Sequence, residues 1–143
     1  MVINESTLRV DIFYTVYNVL NLNVSDPESR SKQWIFTNVP NTTASNFIGY
    51  PIMKVNKVRP SKDYDLFDNA YSDKTVPIVI TVYATNNVLL ETLTDSVDAV
   101  MVPSNFPQFT FNEYTESGGE TDLGAGTVYF TTMTYSIDIG WLS

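Results

Sequence analysis

Apolar positions recur at steps of three and four over Ser6–Leu22, where Leu8, Ile12, Val16, Val19 and Leu20 fall on one face. This spacing predicts an amphipathic helix, with Ser6 placed to cap its first turn. Asp26-Pro27 marks the exit into a polar stretch. Gln33–Val39, carrying Trp34 and Phe36, reads as a short strand, followed by an Asn- and Thr-rich loop over Pro40–Asn46. Ile48–Arg59 reads as a second extended segment, with Tyr50-Pro51 suited to an edge or a first-residue position. Val76–Tyr83 is almost wholly apolar, the pattern of a strand covered on both faces. A second helix is expected over Asn87–Val102, with Leu89, Leu93, Val97, Val100 and Met101 as its stripe and Asn86 or Asn87 as its cap.

Beyond Pro103 the period changes to two. Phe106–Tyr114 alternates around Phe109 and Phe111. Thr127–Trp141 alternates throughout, with Tyr129, Met133, Tyr135, Ile137, Ile139 and Trp141 on one side and Thr132, Thr134, Ser136 and Asp138 on the other. Between them Thr115–Gly126, with four glycines and three acids, reads as a mobile or protruding loop. Ser61–Lys74 is polar and charged and reads as a surface flap. The predicted class is α+β, two helices packed on a mostly antiparallel sheet with a long C-terminal β-hairpin, in one domain over residues 1–143. The flap is set at 61–75 and the hairpin at 106–141. A strand of the hairpin's final length would span roughly 50 Å, so either it bends at a bulge or the hairpin projects, and a projecting hairpin, the expectation carried forward, needs a neighbour to cover it.

The 143 residues can bury roughly 70% of the unfolded chain's surface. Cysteine and histidine are absent, which removes disulfides, thiolate zinc sites, thiol nucleophiles and imidazole bases. No Walker-type loop, aspartic-protease signature or favoured carboxylate pair occurs, so no enzyme, metal or cofactor is expected. Asp63, Asp65, Asp68 and Asp73 crowd one stretch, but Asp68 stands where a calcium loop needs Gly and Lys74 where it needs a bidentate Glu. The N-terminus has no secretory pattern, and the apolar runs fall well short of the roughly 20 residues of a membrane span.

Net charge is −8, from 16 acids and 8 bases, and its distribution matters more than its size. All eight bases precede residue 75; the remainder holds Glu91, Asp95, Asp98, Glu113, Glu116, Glu120, Asp122 and Asp138 and no cation. Such a half-chain cannot neutralise phosphates, though it can line a surface past which DNA slides. The bases concentrate at Lys54, Lys57, Arg59 and Lys62, with Lys57 and Arg59 on one strand face and Lys54 on the other. Two readings stand for this stretch: an edge strand protected by charge, or a patch that meets the acidic half of a neighbouring copy and closes a ring.

Taken in order, the first helix, the aromatic strand, the strand opening with Tyr50-Pro51, the polar flap, Val76–Tyr83, Asn87–Val102 and the alternating last strand form a pattern that resembles the tail-terminator (tail-completion) proteins of tailed viruses. Those proteins share a fold with several neck and tail-tube components. The resemblance implies a structural virion protein, assembled in the host cytoplasm. It forms a homohexameric ring that caps the tail tube and joins it to the head–tail connector, with DNA passing through unbound and no membrane partner. It implies subunit contacts at Lys54, Lys57, Arg59 and Lys62 and at the final hairpin, with Tyr129, Tyr135 and Trp141. It also implies a lumen-facing acidic loop with Glu116, Glu120 and Asp122. A tail-tube or neck subunit is one alternative. A carbohydrate- or protein-binding β-rich module is another, and it would need Trp34 or Trp141 exposed.

Overall fold

The computed structural model describes residues 3, 5–59, 61–64, 71–122 and 126–139. A 3-10 turn over Glu5–Thr7 leads into α1 (Leu8–Asn23), which buries Leu8, Ile12, Val16 and Leu20, the stripe expected from the sequence. The cap differs: Thr7 occupies that position, and its hydroxyl donates to Asp11 Oδ2 at 2.6 Å instead of accepting a backbone N–H. The short strand β1 (Ile35–Phe36) pairs in parallel with β2 (Ile52–Val55). The intervening loop carries a cis Tyr50-Pro51 bond.

The residues expected as a flap instead supply β-structure. β3 (Ser61–Tyr64) pairs with the start of β4 (Tyr71–Ala84), Ser61 opposite Thr75 and Tyr64 opposite Tyr71. Charge on the arms of a hairpin removes the alternating pattern from which a strand is read. After β4 comes α2 (Asn87–Val100), capped by Asn86 Oδ1, which accepts from the Leu89 N–H at 2.8 Å. Leu90, Leu93, Thr94 and Val97 are its buried face, so the stripe is turned slightly from the expected one, and Leu89 flanks it. β5 (Phe109–Asp122) and β6 (Thr127–Ile139) complete a six-stranded sheet in the order β1-β2-β4-β6-β5, with β3 beside β4. Apart from the β1–β2 pair, its neighbours are antiparallel. The architecture is the expected α+β one.

The hairpin does not project as expected. β6 lies between β4 and β5, with Tyr129 through Asp138 paired to Ala84 through Thr75. An apolar alternating strand is satisfied here by a second neighbour from its own chain. At this end of the sheet the unpaired edge belongs to β5.

Both helices lie on one face of the sheet, α2 against β4 and β6. That face buries Val76, Ile78, Ile80, Val82 and Ala84 of β4 and Met133, Tyr135 and Ile137 of β6. In the opposite row of β4, Thr81 is buried but Pro77, Val79 and Tyr83 are only half-buried, so the strand is not covered equally on both faces. Pro77 is tolerated in this central strand for a local reason. The Val79 carbonyl accepts from the Asn56 N–H at 3.0 Å, so backbone alternation points the Pro77 nitrogen toward the same edge. Among the described residues, pairing along that edge lapses between Asn56 and Ser61, and no ladder bond to β6 is lost.

Candidate functional site

The strand order puts the two charged regions at opposite edges of one sheet. On the β1–β2 side, the regular strand ends at Val55, and Val58 turns back into the core while Lys57 and Arg59 remain exposed. Lys54, half-buried on β2, was expected on the opposite face from Lys57 and Arg59. All three instead line one shallow pocket of about 260 Å³, together with Asn56 and Val79, because strand alternation stops after Val55. Asn56 Oδ1 is buried there with no hydrogen-bond partner among the described residues. Lys62 lies on β3 opposite Lys74.

A second groove, of about 400 Å³, shares Lys57 and Arg59 and runs along α1. Val10, Phe13, Tyr14 and Val58 line it, with Arg9 adding charge. Phe13 packs edge-on to Tyr14, centroids 5.3 Å apart, and stacks on Tyr17 at 5.9 Å. Val10 is 57% exposed and Tyr14 49%, so this helix has a second apolar stripe that the described residues leave open. The signal was in the sequence: Val10, Phe13, Tyr14 and Tyr17 follow helical spacing on a face away from Leu8, Ile12 and Val16.

On the far edge, Glu116, Glu120 and Asp122 are not in a loop; they sit on β5, opposite Met133, Tyr129 and Thr127. Residues 113–120 are all exposed. Gly118 explains why this stretch looks like a turn and is not one: a Cβ there would lie 2.8 Å from the Phe130 carbonyl oxygen. Glycine is used for close strand approach. A register shift between Phe111 and Glu113 then places Tyr114 opposite Tyr135, so Tyr114, Glu116 and Glu120 share the helix-side face of the sheet. Tyr114 packs its ring 4.8 Å from that of Tyr135 and donates its hydroxyl to Glu116 Oε1 at 2.8 Å. Partial burial, and then this bond to a carboxylate, hold the Tyr114 phenol well above the usual tyrosine range.

Two expected contact residues are placed differently. Tyr135 is buried, and its hydroxyl donates to Asp98 Oδ1 of α2 at 2.8 Å. It ties β6 to α2 within the subunit and is not offered to a neighbour. Burial, followed by the bond to Asp98, raises its phenol far above the ordinary value. Tyr129 is half-buried against the core. Trp141 lies outside the described residues. Trp34 is buried at 6% exposure, so it offers no open stacking platform.

Chemically, the described residues supply charge, hydrogen-bond donors and apolar surface at two sheet edges. Tyr114 and Tyr135 stay protonated through neutral pH and act as donors. Among the described residues no group of three or more acids could hold a metal ion, and no helix is long and apolar enough to cross a membrane. No protein-family model matches the chain, and no curated protein is significantly similar to it.

Proposed function

We propose that the chain is a structural subunit that joins copies of itself edge to edge into a closed ring, with no catalytic role. The reading rests on one observation: the β1–β2 edge carries Lys54, Lys57 and Arg59, while the β5 edge carries Glu113, Glu116, Glu120 and Asp122. Unlike edges on one body make head-to-tail contacts, and such contacts close when the rotation per copy divides a full turn. A long exposed edge strand without a cover is a template for pairing. The resemblance of element order extends the proposal to the tail terminator of a tailed virus, a hexamer seated between tail tube and head connector with DNA passing through its lumen. On β5, Glu116 and Glu120 then belong to the contact between subunits as well as to the acidic character of the ring. The competing binding-module reading loses support from the burial of Trp34.

Native mass spectrometry of the full chain over a range of concentrations tests the proposal. A six-copy closed particle is expected, with dissociation favoured by high salt because the edges attract through exposed charges. A monomer at every concentration, including in the presence of tail-tube ends, overturns it.

A further inference from the structure

The geometry points to the groove along α1 as the seat for β5 of a neighbouring copy, with Tyr114 over Val10, Phe13 and Tyr14 and Glu116 beside Arg59. This inference rests on the ring reading and specifies its contact. Three observations converge on it.

The first is layer. Tyr114, Glu116 and Glu120 lie on the helix-side face of the sheet, yet α2 covers β4 and β6 and leaves residues 113–120 exposed. If β5 lies along the β1 edge of a second copy, its helix-side row enters the layer occupied by that copy's α1. The second is shape and polarity. Tyr114, 41% exposed, is an exposed large apolar side chain on the acidic strand, and the groove offers the uncovered apolar faces of Val10 and Tyr14. Its ring is already held by Tyr135 and its hydroxyl by Glu116, so little conformational freedom is lost on docking. The third is charge. Arg9, Lys57 and Arg59 border the groove, and Glu116 and Glu120 flank the incoming tyrosine. A buried aromatic anchor ringed by rim charges is the usual anatomy of an interface hot spot.

The test uses the full chain and its lack of cysteine. Single substitutions Tyr14→Asp and Tyr114→Ala are at exposed positions, and circular dichroism checks that each variant folds. Each is expected to weaken assembly roughly 30-fold or more in sedimentation. Mixing a Tyr14→Cys chain with a Glu116→Cys chain is expected to give a disulfide-linked pair under mild oxidation, and a Thr92→Cys control on the outer face of α2 is expected to give none. If the wild type assembles while both substitutions leave assembly intact and no cross-link forms, the groove assignment is wrong and the ring survives. If the wild type never assembles, the ring reading fails and takes the groove with it.

Discussion

Arg30 divides its guanidinium between two parts of the chain. Nε and Nη2 hold Asp26 at 2.8 and 3.0 Å, while Nη1 reaches the Gly49 carbonyl at 2.8 Å and Nη2 also donates to the Pro51 carbonyl. With side chains only 15% and 7% exposed, Arg30 and Asp26 form a clamp between the segment after α1 and the turn into β2. Arg30→Ala takes the guanidinium from the Asp26 carboxylate and from the Ile48, Gly49 and Pro51 carbonyls and is expected to cost about 3 kcal/mol, read from the urea midpoint. Burial alone would raise the Asp26 carboxyl, but Arg30 and the Glu28 and Arg30 backbone N–H groups outweigh it and hold it below 3.8. Its stabilisation is therefore complete above that value and is lost as pH falls through the lower folded-state value. The acid limb of the wild-type stability profile should flatten in Asp26→Asn. Gly118→Ala pushes a methyl against the Phe130 carbonyl. The expected loss is about 1–3 kcal/mol in thermal unfolding, far more than an exposed Gly→Ala change in an open strand would give.

At the scale of elements, the Tyr135 hydroxyl on Asp98 ties β6 to α2. Tyr135→Phe should lower stability by about 1 kcal/mol at neutral pH. The raised folded-state phenol values of Tyr135 and Tyr114 carry a sign: their contribution is present below the ordinary tyrosine value of 10.0 and erodes as pH rises past it. Unfolding titrations between about pH 9 and pH 11 should show a shallower alkaline decline in Tyr135→Phe. Elements packed against the core were legible in the sequence: α1, α2 and β6 through periodic apolar residues, and the second half of β4 through the apolar run Val76–Tyr83. β5 beyond Tyr114 and the β3–β4 pairing were not. Exposure on β5 leaves burial nothing to pattern, and Gly118-Gly119 has the composition of a turn while serving a close approach. The candidate site was half legible. Lys54, Lys57 and Arg59 stood out as a basic run, whereas Asn56 and the second stripe of α1 acquire meaning only when folding brings residues 56–59 beside the helix.

For the whole molecule, the controlling fact is that residues far apart in sequence define the two rims of one sheet. Exchanging charge between them tests this directly. Arg59→Glu should weaken self-association, and adding Glu116→Arg in the same chain should restore it, with the salt dependence of sedimentation recovering in parallel. Rescue by the pair is expected only if the rims meet.

The clamp at Arg30 has a practical corollary. It grips the carbonyls of Ile48, Gly49 and Pro51 at the far end of the long connection, while in the middle the Asn41 and Ala44 carbonyls accept from the nearby Ala44 and Phe47 N–H groups. Ser45, solvent-facing there, is thus a natural anchorage for a fluorophore through a single introduced thiol in a chain that has none of its own. Photobleaching steps counted on individual particles would then report how many protomers each one holds.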